Sequence, residues 1–253
     1  SNPAAARKLN QELSYHQTLL TSWREIEEKI NELQLFLEMV DDSNSSDVQE
    51  LEDASKDLET ALEGLETTSL LSGEMDSSPC MVTIHAGAGG TDAQDWAEMM
   101  LRMYLRWAER SGYQVELADT SPGDEAGLHS ATFFLTGPQP YGMMRSERGA
   151  HRLVRISPFD QARRRHTAFA KVDVLPEMED AEVEVRTEDL KIDTYRSSGA
   201  GGQHVNKTES AIRITHIPTG IIVACQNERS QQSNRLTAMR MLKTKLFELQ
   251  QSE

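Results

Sequence analysis

An α+β fold is what this 253-residue sequence predicts. We expect an N-terminal helical hairpin arm, a mixed α/β domain, and a small α+β domain carrying a glycine-rich loop. Two observations lead there. Before residue 75, apolar residues recur at helical spacing. Beyond Cys80 they alternate or run in short blocks bounded by Gly and Pro, which is strand patterning with one long helical interruption. The boundaries drawn from these shifts are 1–75, 80–186 and 187–253.

In the arm, Leu19, Trp23, Ile26, Ile30, Leu33, Leu37 and Val40 step alternately by four and three. That spacing places them on one helix face, with Glu and Lys on the other. The polar run Asp41 to Ser46 breaks the helix. Val48, Leu51, Leu58, Leu62 and Leu65 then mark a second helix, and two stripes with a short polar connection read as an antiparallel hairpin. Residues 72–79 read as a linker.

Cys80 to Ala86 reads as a strand. The glycines of 87–90 lead into a helix from about Thr91 to Gly112, where Thr91 and Gln94 have capping-box spacing. Tyr113–Ala118, Leu128–Leu135 and Thr167–Leu175 read as strands, with turns at Ser121 to Asp124 and at Gly137-Pro138. Further strands are expected at Ala181–Val185 and Lys191–Tyr195. Ala211–Ile217 and Gly220–Gln226 form a hairpin by pattern, and Ser233 to Gln250 has helical spacing through Leu236, Met239, Leu242 and Leu246.

The charge is uneven. The formal net charge is −15, yet residues 1–80 hold 5 basic and 18 acidic side chains while residues 191–253 hold 9 and 5. The acidity belongs to the arm, as a solvated helix face. The segment around the glycine loop is mildly basic, which suits approach to RNA phosphates. Two cysteines far apart, Cys80 and Cys225, exclude a disulfide framework and a zinc-ligand spacing, and read as buried small hydrophobes in a reducing compartment. No apolar run approaches the length of a membrane span.

Residues 196–210 read Arg-Ser-Ser-Gly-Ala-Gly-Gly-Gln-His-Val-Asn-Lys-Thr-Glu-Ser. Glycines let the backbone go where side chains forbid. The residue they deliver, Gln203, is neither acid, base nor nucleophile, so the loop suits completing another machine's active site. A bare Gly-Gly-Gln arises by chance in about one chain in twenty of this length. The longer string, followed by Thr-Glu-Ser-Ala-Ile-Arg-Ile-Thr-His, resembles the catalytic domain of class I peptide chain release factors, and the resemblance runs from about Ser72 to Leu249.

A second constellation lies upstream. Arg152-Leu-Val-Arg-Ile-Ser157-Pro158-Phe159 runs into a loop that continues to Arg163-Arg-Arg165-His166-Thr167. Flat rings, hydroxyls and arginines are the mixture with which proteins read splayed single-stranded RNA. Composition by itself favours an ordinary turn with Phe159 in the core. The resemblance points elsewhere: Ser157-Pro158-Phe159 looks like the codon-recognition tripeptide of the family branch that reads UAA and UGA. A serine hydroxyl both donates and accepts, and adenine and guanine differ in offering N6 donor or O6 acceptor, so one serine tolerates either purine. The match implies that His166 stacks on codon bases and that Thr167 and Val154 lie near the third base. It also implies that the Gly89-Gly90 tip and Asp92 meet the first uridine. Two departures stand out. Asp92 replaces the usual glutamate, and Gln161-Ala162-Arg163 replaces small residues and glycines, whose backbone angles Ala162 and Arg163 disfavour.

The family reaction is hydrolysis of the peptidyl-tRNA ester on the ribosome. In it, the backbone amide of Gln203 would stabilise the developing oxyanion, while Gly201 and Gly202 permit the approach to ribosomal RNA. A factor of this kind has no self-contained active site and is not an enzyme by itself. The resemblance implies no cofactor and no metal. It implies these partners: the ribosomal RNA of both subunits, an mRNA stop codon, peptidyl-tRNA, a glutamine methyltransferase that makes N5-methylglutamine at Gln203, and a GTPase class II release factor. It implies a monomer in the bacterial cytoplasm, or alternatively an organelle matrix or stroma, with no membrane association. The alternative function is a paralogue that rescues ribosomes or binds RNA without strict codon reading. Rescue factors usually lack the codon domain and RNA-stabilising paralogues lose Gly-Gly-Gln, whereas this sequence has both. Family members continue past the final helix, and that C-terminal part is absent from the sequence to Glu253.

Overall fold

A computed structural model describes residues 3–40, 45–177, 185–195, 210–227 and 230–252. The chain divides into two units, Ser1–Ser72 and Gly73–Glu253. In the first, helices α1 (Pro3–Met39) and α2 (Ser45–Leu70) pack on each other. Ile26 is buried, and Leu19, Leu33, Phe36 and Val40 are half-buried along the same line. Trp23, Ile30 and Leu37 stand exposed, contrary to the full stripe expected. A hairpin gives each helix one neighbour, so only the middle of a wide apolar face is covered. In α2, Val48, Leu51, Leu58 and Leu65 are half-buried and Leu62 is exposed.

The second unit is built on a five-stranded antiparallel sheet in the order β2-β3-β1-β5-β4. Its strands are β1 (Cys80–Ala86), β2 (Gln114–Pro122), β3 (Leu128–Thr136), β4 (Gly149–Ile156) and β5 (Arg165–Pro176). Side chains alternate between faces along a strand. Val82, Ile84, Phe133, Leu135, Val172 and Val174 therefore meet Ala97, Met100, Leu101 and Tyr104 of helix α3 (Thr91–Arg110). Their alternates Met81, Phe134 and Leu175 form a second core on the opposite face. There they meet Ile212 and Ile214 of β7 (Ala211–His216), Val223 of β8 (Ile222–Cys225), and Leu242 and Leu246 of the helix Gln231–Ser252. With β6 (Leu190–Tyr195), β7 and β8 form an antiparallel sheet in the order β6-β7-β8. The boundary drawn at residue 186 thus falls between elements that share a core, because both faces of β1 and β3 are apolar. Arg240 ties them further, lying over the Phe134 ring at 3.7 Å and pairing with Glu177 and Glu116.

Several local readings are corrected. The segment 149–156 is a strand, not a run into a loop; half-buried Gly149, His151, Leu153 and Arg155 alternate with exposed Ala150, Arg152, Val154 and Ile156, so burial there does not follow apolar character. A short helix α4 (Pro140–Met144) begins on Pro140, whose missing N–H costs nothing at a helix start; the final helix is α5. The capping box does not form. Gly90 is the N-cap, and the Gln94 amide instead holds the loop after β2, donating to Asp124 at 2.9 Å and accepting from its N–H at 3.1 Å. The expected linker 72–79 contains Asp76, which is buried, accepts from Gly73 N–H and pairs with Arg145 at 3.2 Å. Most of the strand expected at 181–185 lies outside the described residues. Both cysteines are buried thiols outside any disulfide, and burial, with a smaller effect of Glu177, pushes the Cys80 thiol up to about 12. No helix among the described residues is long and apolar enough to cross a membrane.

At the edge strand β2, side chains after β8 replace a strand partner. Gln226 Nε2 donates to Thr120 O at 2.9 Å and Asn227 Nδ2 to Leu117 O at 2.6 Å. Between them Asp119 has one buried carboxylate oxygen without a partner among the described residues. Burial pushes its carboxyl up to about 6, against smaller opposing effects of the Gln226 and Thr120 amides. The native value lies above the unfolded one, about 3.9. The native state therefore binds more protons between those values, and the ionised form destabilises above about pH 6. Asp119→Asn should raise Tm by about 2–5 °C at pH 7.5. In thermal melts across pH, that gain should fade as the pH drops from 6 to 4.

Candidate nucleic-acid interface

Antiparallel pairing of β4 and β5 sets Val154 opposite Thr167, Arg155 opposite His166 and Ile156 opposite Arg165. Ser157 N–H donates to Arg164 O at 3.1 Å and closes the intervening loop. The glycine turn before α3 docks beside β5, with Gly87 N–H on Phe169 O at 2.8 Å and Phe169 N–H on Ala88 O at 2.9 Å. Gly89 has φ 133°, and a Cβ there would lie 3.0 Å from Ala168 Cα. Only glycine permits that approach. Asp92, in the first turn of α3, consequently faces the end of the β4–β5 pair.

Every residue singled out upstream of the glycine loop converges here: Gly89, Asp92, Val154, Ser157, Pro158, Phe159, His166 and Thr167. Phe159 is 43% exposed, so its ring is not a core residue as composition alone suggested. Val154 and Thr167 face solvent side by side. Ser157 is buried; its Oγ accepts from Phe159 N–H at 3.2 Å, and its hydroxyl bonds Asp92. Asp92 is also buried. Its oxygens lie 3.3 Å from Arg155 Nη2 and 3.0 Å from His166 Nδ1. Burial pushes its carboxyl up, but hydrogen bonds from Ser157, Arg155 and His166 outweigh this and hold it below its usual value.

The sequence reading missed Arg155, Asp95 and Asp160. Arg155 Nη2 reaches Asp95 at 2.5 Å as well as Asp92. Asp160 Oδ1 accepts from Ala162 N–H at 3.1 Å, and its Oδ2 accepts from Arg164 N–H at 3.2 Å and Nε at 2.7 Å. The Arg164 guanidinium, foremost among these donors, holds the Asp160 carboxyl far below the usual carboxylate range. An Asp that binds backbone two residues on is a turn signal, and its place directly after Ser-Pro-Phe was the available clue. Arg163 has φ 51°, the left-handed region, while Ala162 does not, so the expected conflict falls on one residue of the three. Arg163→Gly should stabilise the protein by about 1 kcal/mol, read as a Tm rise of about 2–4 °C.

Gly201, Gly202 and Gln203 lie outside the described residues. Tyr195 and Ala211, on either side of them in the sequence, pair across β6 and β7.

The PCRF domain family matches residues 1–172 and the RF-1 domain family residues 178–253. The chain is 50% identical over 251 residues to peptide chain release factor 2 of Kosmotoga olearia, covering 99% of this chain and 68% of that protein. It is 54% identical over 210 residues to peptide chain release factor 2 of Thermotoga petrophila, covering 83% and 57%. Among solved structures, RF2 of Thermus thermophilus superposes with TM-score 0.72 at 44% identity, covering 99% of this chain and 71% of that one. The chain belongs to the peptide chain release factor family. The relatives with which it shares half its residues carry the name peptide chain release factor 2.

Proposed function

We propose that this protein terminates translation, reading UAA and UGA in the ribosomal A site and promoting hydrolysis of the peptidyl-tRNA ester. The observation that carries the reading is the convergence of Ser157-Pro158-Phe159, His166, Thr167, Val154, Gly89 and Asp92 at one corner of the sheet, in a chain that also holds Gly-Gly-Gln. Residues 80–186 read the codon. His166 and Phe159 offer flat rings to bases, and Val154 and Thr167 lie near the third base. Ser157 exchanges its internal partners for the edge of a purine. Gly89 and Asp92 serve the first uridine, Asp92 chiefly through the residues it holds.

Residues 187–253 serve release. Water attacks the ester carbonyl, negative charge gathers on oxygen, and the Gln203 backbone N–H donates to it; collapse frees the peptide acid and the tRNA hydroxyl. Gly201 and Gly202 allow the backbone to reach ribosomal RNA. The reacting groups belong to the ribosome complex, so the protein is a factor, not an enzyme by itself. It works as a monomer in the cytoplasm with mRNA, peptidyl-tRNA and both ribosomal subunits. A glutamine methyltransferase modifies Gln203, and a class II GTPase factor assists turnover.

The test is peptide release from ribosomes programmed with UAA, UGA, UAG or a sense codon. Release on UAA and UGA only is expected. Release on every codon, or on none, overturns the reading.

A further inference from the structure

The His166 ring is held at both nitrogens by carboxylates from different parts of the chain. Nδ1 lies 3.0 Å from Asp92 Oδ2 at the start of α3, and Nε2 lies 3.2 Å from Asp160 Oδ2 in the loop after β4. One tether leaves an imidazole free to swing about it. Two tethers on opposite edges fix the ring plane. Ring nitrogens meet their partners at the edge of the imidazole rather than over its face, and the side chain remains 36% exposed. A ring tethered at its edge and still partly exposed suits stacking on an unpaired base.

Asp160 does more than hold the ring. Its carboxylate accepts the Ala162 and Arg164 amides and grips the Arg164 guanidinium, while its carbonyl accepts Arg163 N–H at 2.9 Å. These bonds shape a loop whose Arg163 sits at φ 51° without glycine's freedom. A single side chain, 11% exposed, thus couples the backbone that carries Phe159 to the orientation of His166.

We propose that Asp160 is a positioning residue for codon reading, fixing the plane of His166 against the Phe159 loop so that both rings meet the codon preorganised. The inference rests on the codon-reading function proposed above. Asp160 touches no base; it acts through His166.

The experiment measures peptide release by the full chain on UAA and UGA ribosomes as a function of factor concentration, giving K1/2 and kcat. Asp160→Ala should raise K1/2 about tenfold on both codons and leave kcat at saturation unchanged, because the Gly-Gly-Gln segment is untouched. The same substitution is then made in a His166→Phe background, which keeps a flat ring but has no nitrogen to tether. There its cost should shrink to about threefold or less. An equal cost in both backgrounds would mean that Asp160 only shapes the loop, and would overturn the proposal. So would an unchanged K1/2, or a loss confined to kcat. Asp160→Asn keeps an acceptor for Ala162 N–H and carries the same test if the alanine variant does not fold. The wild-type arm separates the two levels: absence of stop-dependent release sinks the codon-reading function and the proposal with it. Stop-dependent wild-type release with equal costs in both backgrounds sinks only the role of Asp160.

Discussion

Gln203→Pro should slow peptide release on UAA-programmed ribosomes by about 10²–10³-fold, while Gln203→Ala should cost far less. The contrast isolates the backbone. Proline has no amide hydrogen, whereas alanine keeps it and loses only the side chain. If the transition-state oxyanion is held by the main-chain N–H, the proline variant loses about 3–4 kcal/mol of stabilisation that no neighbouring group replaces. Factor concentration for half-maximal release should be unchanged, because the corner proposed to read the codon lies in other elements. Equal losses in the two variants would transfer the role from the main chain to the side-chain amide.

The second large effect is on stability. Arg155→Met keeps an unbranched apolar stem but removes the charge facing two carboxylates. Asp92 and Asp95 both reach Arg155 Nη2, at 3.3 and 2.5 Å. Removing one partner of a buried pair leaves the other charge uncompensated, costing about 3–5 kcal/mol when fully buried. Arg155 is 25% exposed, so we expect about 2–3 kcal/mol. In a unit of this size that lowers Tm by about 5–10 °C. The pH dependence has a definite sign. The native Asp92 carboxyl is held below its unfolded value, so its contribution is fully present above about pH 3.9 and is lost as pH falls through the native value. In the variant that contribution is weakened at neutral pH. The gap between wild-type and variant melting temperatures should therefore persist from pH 7.5 down to about pH 4 and narrow as the pH falls further. A gap that does not change with pH would mean that Arg155 stabilises by packing alone.

Much of the fold was legible because it is local. Cys80 to Ala86 is an apolar run centred between two strands, and its burial on both faces follows from that run. α3 begins where the glycines of 87–90 put its start, and α5 appears where its apolar spacing puts it. β4 was missed because its apolar residues do not alternate, with Val154 and Ile156 exposed while His151 and Arg155 are half-buried. The capping box failed for a tertiary reason: Gln94 had a better partner in Asp124, thirty residues away.

At the site, the residue types and their motifs were legible, and so was the strain of a loop without glycine, which falls on Arg163. Their assembly was not. Asp92 and His166 are 74 residues apart and meet only because the glycine turn docks on β5. Nothing in spacing announces that contact, nor that Ser157 would turn inward to the same carboxylate. Periodicity and motif were enough for the helical arm, the strand pattern, the Gly-Gly-Gln string and the Ser-Pro-Phe loop, since each is written in a short window of sequence. It took the folded chain to gather Asp92, Asp160 and Arg155 into one charged network around His166, and to bury an Asp119 oxygen that has no partner among the described residues. Those outcomes depend on strand register and on which edges meet, and such long-range pairings leave no period in the chain.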